Sequence, residues 1–168
     1  GILDASTNSG NNVEYNGSVA QAIKAPSSAY HDLTISGTST KTFPASALSL
    51  NGDLIVTAGT LDVNAQNITI GGDWNNSATI SNLSLVTFNG TSDQSITSNA
   101  TNFPTMTINK ASGVIVLNED VIVTTTLTMT TGDINTGAYA LTLGSGAEGT
   151  LSYTAGKIIG AFGRYIAT

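Results

Sequence analysis

The sequence predicts an all-β chain wound as a parallel, right-handed β-helix of about seven coils, each of 20–21 residues. Three observations lead there. Apolar–polar–apolar triplets fill the chain, turn residues separate them every few positions, and a shift of 73 residues lays Val13–Gly71 on Val86–Gly144 without a gap. The triplets run Val13-Glu-Tyr15, Leu33-Thr-Ile35, Leu48-Ser-Leu50, Leu54-Ile-Val56, Leu61-Asp-Val63 and Ile68-Thr-Ile70. They continue as Val86-Thr-Phe88, Met106-Thr-Ile108, Val114-Ile-Val116, Val121-Ile-Val123, Leu127-Thr-Met129 and Leu141-Thr-Leu143. Alternation with period two in β-branched residues predicts strands with one face inward and one outward.

The turns are written in Ser36-Gly37, Asn51-Gly52-Asp53, Ala58-Gly59, Gly71-Gly72, Asn89-Gly90, Thr131-Gly132-Asp133 and Ser145-Gly146. Equivalent triplets at Val13, Leu33 and Leu54, then at Val86, Met106 and Leu127, recur in steps of 20 and 21 residues. Three short strands and three turns fit one such step. Stacked coils then lie about 4.8 Å apart, with an apolar column inside and Thr and Ser ladders outside. An antiparallel sandwich is the rival, since it also uses short strands and regular turns. The steps and the gapless self-match favour the solenoid. One domain, 1–168, is expected: a first repeat over about 13–85, a second over 86–158, and a closing segment 159–168. Residues 1–12 are mostly turn formers, with Ile2-Leu3-Asp4 a candidate strand of an incomplete coil.

Composition narrows the function. Charged residues make up only 10 % of the chain, against about 25 % in an ordinary domain. The five basic residues, Lys24, Lys41, Lys110, Lys157 and Arg164, form no patch, which argues against nucleic acid. No apolar run is long enough for a membrane span, and no leader is visible. The absence of Cys removes disulfide and thiolate chemistry. A neutral, Thr/Asn/Gly-rich surface fits an extracellular setting.

The run Val86-Thr-Phe-Asn-Gly-Thr-Ser-Asp-Gln-Ser-Ile96, with Phe103-Pro-Thr-Met-Thr-Ile-Asn109, Leu127-Thr-Met-Thr-Thr-Gly-Asp-Ile-Asn-Thr-Gly137 and Leu141-Thr-Leu-Gly144, carries a resemblance. It resembles the β-strand-repeat segments of large secreted, adhesin-like surface proteins of Bacteroidetes-type bacteria. The tail Gly156-Lys-Ile-Ile-Gly-Ala-Phe-Gly-Arg-Tyr-Ile166 is similar to the segment that closes such arrays. The resemblance implies a stalk or adhesin-like module and brings no catalytic residues with it.

Chemistry-bearing residues are sparse. His31 is the single histidine, and Asp32 beside it points to the opposite strand face, so a surface turn is expected rather than a metal ligand. Asn118-Glu119-Asp120 is the tightest acidic cluster and lacks a calcium-loop pattern; it is expected to be a solvated turn. No catalytic, metal or cofactor residues are assigned, and an enzyme is not expected. The candidate ligand surface is Thr34, Thr107 and Thr128, middle residues of matched triplets, with Ser49, Thr69 and Thr142 as a second set. A flat array of Thr hydroxyls and methyls suits a regular surface such as ice or a crystalline polysaccharide. Trp74 joins the candidates as a stacking platform, although a core or cap role is the expectation. Ile55, Ile115 and Ile122 are expected outward, as an apolar stripe. Tyr15, Phe88, Tyr30 and Phe103 are expected inward. With no charged or helical cap at either end, self-association through open solenoid ends is expected, or continuation into further domains. The functional expectation is a non-catalytic structural module of a secreted or cell-surface protein, an adhesin-like stalk or filament subunit. The alternative is a polysaccharide- or surface-binding module, and third a polysaccharide-active enzyme.

Overall fold

The computed structural model describes residues 5–6 and 10–167; the segment Ile2-Leu3-Asp4 lies outside the described residues. Among the described residues there is no helix, and every paired strand runs parallel to its neighbours. The chain climbs as a solenoid with three faces, visited in the order A, B, C. Face A carries β1 (Asn12–Tyr15), β3 (Asp32–Ile35), β6 (Leu54–Val56), β9 (Trp74–Asn76) and β12 (Gln94–Thr97). It continues through the end of β13 (Phe103–Leu117), part of β14 (Val121–Leu143) and the start of β16 (Ile158–Arg164), which makes eight rungs. Face B opens with β2 (Gln21–Ala22), β4 (Thr40–Thr42), β7 (Thr60–Asp62) and β10 (Thr79–Ser81). Face C stacks β5 (Leu48–Leu50), β8 (Ile68–Ile70), β11 (Leu85–Phe88), then segments of β13 and β14, then β15 (Thr150–Tyr153).

The triplets form these strands because their outer members are β-branched or long apolar residues and their middle members are polar. One register suits the core, and a slip by one residue would turn every apolar side chain to water. The columns are continuous. On face C, Leu48, Ile68, Val86, Met106, Leu127 and Leu151 stack in register, as do Leu50, Ile70, Phe88, Ile108 and Met129. On face A, Val13, Leu33, Leu54, Trp74, Ile96 and Leu117 stack likewise. Each fully buried aliphatic contributes about 1.5–3 kcal/mol. Trp74, Phe103 and Phe88 meet mid-solenoid, with ring centroids 5.1 Å and 6.3 Å apart in tilted and edge-on contacts. Phe88, Phe103 and Tyr30 are buried as expected, and Tyr15 is half-buried.

The 73-residue match has a different meaning from a tandem repeat. Val13 lies on face A and Val86 on face C; Leu33 and Met106 are divided the same way, while Ile68 on face C matches Leu141 on face B. The shift of 73 residues is therefore three rungs and two-thirds of a fourth, and it rotates the pattern by one face. Inward-apolar, outward-polar triplets read alike on all three faces, so the match registers shared parity. Eight rungs stand where seven coils were expected, because the tail read as a closing segment pairs along β14 as a rung of its own.

Two irregularities interrupt the stacking. The face B ladder of β2, β4, β7 and β10 ends at β10. There side chains take over: the Asn76 amide donates to Ser98 O at 2.8 Å and Thr101 Oγ1 at 3.1 Å, and the Asn99 amide donates to Ala78 O at 2.9 Å. The second is the register shift between Asn109 and Val114, where Gly113 adopts φ +70°. It reverses strand parity, so Ile115 is buried with Leu117 and not outward as expected; Val114 and Val116 are the half-exposed pair.

Candidate functional site

The outward residues of face C form one unbroken column of hydroxyls: Ser49, Thr69, Thr87, Thr107, Thr128 and Ser152 pair rung by rung in register. Thr105, Thr126 and Thr150 form a second column over the last three rungs of that face. The rung spacing of about 4.8 Å and the two-residue rise of about 6.6 Å along each strand set the lattice of this surface. Parallel pairing fixes it, because the backbone of each inner rung, from Thr69 to Thr128, is held on both sides.

Of the expected ligand residues, Thr107 and Thr128 are adjacent here. Thr34 is not among them: it sits on face A between Glu14 and Ile55, is buried, and donates to Asn12 Oδ1 at 2.9 Å. Thr142 lies on face B beside Gly163. Trp74 is fully buried in the aromatic cluster and offers no face to a ligand. Thr87 and Ser152 complete the column and were missed: the 73-residue frame set Thr87 against Glu14, and Ser152 lies beyond the matched span.

At the corner between faces C and A, this column borders a cleft of about 470 Å³. Ser49, Asn51 and Thr69 line one side, and Asn89, Thr91 and Ser92 the other. Gly71 in the lining must lack a side chain, since a Cβ there would fall 2.5 Å from Asn51 O. The wall is a loop, Gly90–Asp93, that leaves the strand after Asn89-Gly90 and returns at Gln94.

A buried ammonium holds that loop. Lys110 is 1 % exposed, and its Nζ donates to Gly90 O at 2.7 Å, Ser92 O at 2.8 Å and Gln94 Oε1 at 2.8 Å. Gln94 is saturated as well: its Oε1 also accepts Gly90 N–H at 2.8 Å, and its amide donates to Ile70 O and Gly72 O. Burial pushes the Lys110 amine below the usual lysine value, opposed by the Asp93 and Asp73 charges. A second buried lysine, Lys41, donates to Gly17 O at 2.9 Å, Val19 O at 3.1 Å and Ser39 O at 3.2 Å. Neither lysine was expected inside. The available signal was the paired loops Asn16-Gly-Ser-Val-Ala-Gln21 and Asn89-Gly-Thr-Ser-Asp-Gln94, each followed by a lysine about one rung later.

The carboxylates do structural work, and those of the largely exposed Asn118-Glu119-Asp120 bend do so beside the solvation expected of it. Asp32 Oδ1 accepts Asp53 N–H at 2.8 Å, Asp53 Oδ1 accepts Asp73 N–H at 2.7 Å, and Asp73 Oδ1 accepts Ser95 N–H at 2.7 Å. Asp93, Asp120 and Asp133 staple Val114, Ala140 and Lys157 in the same way. The Glu119 carboxylate accepts the Ser98 and Asn99 N–H groups. Rung-long spacing of Asp32, Asp53, Asp73 and Asp93 was the signal for this ladder. His31 Nδ1 lies 3.0 Å from Asp32 Oδ1 and forms an ion pair when protonated. Among the described residues no group of three or more His, Cys, Asp and Glu is placed to hold a metal.

Comparison of this chain with family models, curated proteins and solved structures finds no match.

Proposed function

We propose that this chain is a non-catalytic structural module of a secreted or cell-surface bacterial protein, a stiff spacer whose length is set by its rung count. The observation that carries this reading is in-register parallel stacking through eight rungs on face A. A spacer of this kind gains about 4.8 Å per rung, and its stiffness comes from ladders and packed columns that cannot bend without opening backbone hydrogen bonds. Side-chain staples along the Asp32–Asp53–Asp73 column resist shear between rungs. Solution scattering with size exclusion over a concentration series tests it. A short rod of constant monomer mass fits the spacer. Mass and length growing together fit end-to-end assembly into a filament, and a compact sphere overturns both.

The face C hydroxyl column and its adjoining cleft favour a second reading, a module that binds a neutral polysaccharide or other regular polymer surface. The column presents no charge over six rungs, and hydroxyls and amides line the cleft beside it. Co-sedimentation with insoluble polysaccharides, comparing wild type with Thr87→Lys/Thr107→Lys, separates the readings. Binding that the double variant abolishes supports the second; wild type remaining in the supernatant throughout removes it.

A further inference from the structure

We propose that Asn16 is a self-modification site, converting to isoaspartate and aspartate through a succinimide while the other two Asn-Gly pairs stay protected by the fold. The chain has three such pairs, Asn16-Gly17, Asn51-Gly52 and Asn89-Gly90. In each the chemistry is the same. The glycine backbone nitrogen gives up its proton to hydroxide and attacks the asparagine Cγ. A C–N bond forms, the Cγ–Nδ2 bond breaks, and ammonia leaves. Water then adds to either carbonyl of the five-membered ring and opens it, so the net change is amide plus water to carboxylate plus ammonium, with no redox step. Glycine at the second position leaves the approach unhindered.

The fold separates the three by what holds the attacking nitrogen. Gly52 N–H donates to His31 O at 2.8 Å, and the Asn51 amide is itself tied to Ser6 O at 3.2 Å. Gly90 N–H donates to Gln94 Oε1 at 2.8 Å, inside the Lys110 cradle. Gly17 N–H has no acceptor among the described residues. The residue placed to bond it, Gln21, leaves its Oε1 buried and without a partner.

Backbone freedom points the same way. Ring closure needs rotation about the asparagine ψ, which a rung bonded on both sides resists. Asn51 and Asn89 lie in such rungs: Asn51 N–H bonds Tyr30 O and Gly71 N–H bonds Leu50 O, while Asn89 N–H bonds Ile70 O. Asn16 follows β1, which pairs only with β3 among the described residues; all three asparagines are exposed, so the difference lies in the backbone. The product matters to the fold. Isoaspartate inserts a methylene into the main chain one residue before Gly17, whose carbonyl holds Lys41. Conversion therefore loosens the first cradle.

The test is peptide mapping by mass spectrometry, with enzymatic isoaspartate detection, on native protein held in mildly alkaline buffer. A parallel sample is held unfolded in guanidinium. In the native sample Asn16 should convert at least about tenfold faster than Asn51 or Asn89, one retained hydrogen bond being worth about that factor. In the unfolded sample the three rates should converge. Equal native rates, or conversion led by Asn51 or Asn89, would overturn the proposal. So would a native ranking that persists in guanidinium, since it would then come from local sequence and not from the fold.

Discussion

Lys41 and Lys110 are two solutions to one problem, and they differ in how completely they solve it. Each is a lysine folded inward whose ammonium donates three hydrogen bonds to a Gly-x-x-x-Gln loop or its neighbours. Burying an ammonium is costly unless every donor is matched. Around Lys110 the match is closed: Gln94 takes one of the three donors and uses its remaining capacity on Gly90, Gly72 and Ile70. Around Lys41 all three acceptors are carbonyls at 2.9–3.2 Å, and Gln21 Oε1 is left over. The difference follows from register. Lys41 pairs directly with Gln21 across face B, so the lysine lies over the glutamine. Lys110 lies a rung beyond Gly90 at a different corner and reaches Gln94 from the side. One loop motif therefore accepts a lysine from either geometry, and only the second satisfies both partners.

The largest expected effect comes from emptying the two cradles. Lys110→Ala leaves Gly90 O and Ser92 O without their donor, and Gln94 Oε1 with the Gly90 N–H alone, inside a rung bonded on both sides. It should cost about 3 kcal/mol and lower the global melting temperature. Lys41→Ala touches the first rungs and should show mainly as lost amide protection near Gly17–Gln21, with a smaller melting shift. Calorimetry beside hydrogen exchange checks both, and equal global losses would break the contrast.

The glutamines sharpen it further. Gln94→Leu removes four hydrogen bonds and frees the cleft wall, for a cost of about 2 kcal/mol. Gln21→Leu removes an oxygen that had no partner, so it should be neutral or stabilising in urea titration.

Alkaline titration is the next step down. The Lys110 amine is held below the usual value of 10.5 by burial. Between its folded and unfolded values the unfolded chain binds more protons, so this group adds stability as pH rises. The margin of wild type over Lys110→Ala should widen as pH climbs toward 10.5 and then level off. A margin that narrows over that window would mean the amine is stabilised as a cation.

These cradles also mark where the sequence stops being readable. Strand triplets, their in-and-out parity and the solenoid class were legible, because a period of two in β-branched residues suits a half-buried strand and little else. Face assignment was not. Val86-Thr-Phe88 fits face A or face C equally well, and only the rung count decides between them. Thr34 was thereby grouped with Thr107 and Thr128, which lie on another face. Ile115 failed for a local reason: a bulge closed by Gly113 flips parity, and a five-residue gap between apolar positions carries no sign of it. The lysines failed because buried charge breaks the polar-outside rule, and their acceptors are mostly backbone carbonyls, which every residue has. The aspartate ladder was readable in principle, since its rung-long spacing is printed in the chain.

That ladder yields the smallest effect and the most directional one. Asp53 lies between Asp32 and Asp73, accepts one N–H and faces two like charges. Its carboxyl is raised first by burial, is lowered by the hydrogen bond from Asp73, and is raised again by the Asp73 and Asp32 charges. Asp53→Asn keeps an oxygen to accept the Asp73 N–H and removes the charge. At neutral pH the variant should therefore be more stable by about 0.5 kcal/mol, the usual scale for like charges on adjacent strands. The sign of the pH dependence follows. A folded value above the unfolded one means the native chain takes up the proton first, so the penalty is relieved as pH falls through the folded value. Wild type and Asp53→Asn should converge there, and added salt should narrow their gap at neutral pH. A variant less stable than wild type at neutral pH would show that the carboxylate staple outweighs the repulsion. The ladder would then be a charge-assisted device in which the negative charge itself strengthens each rung-to-rung bond.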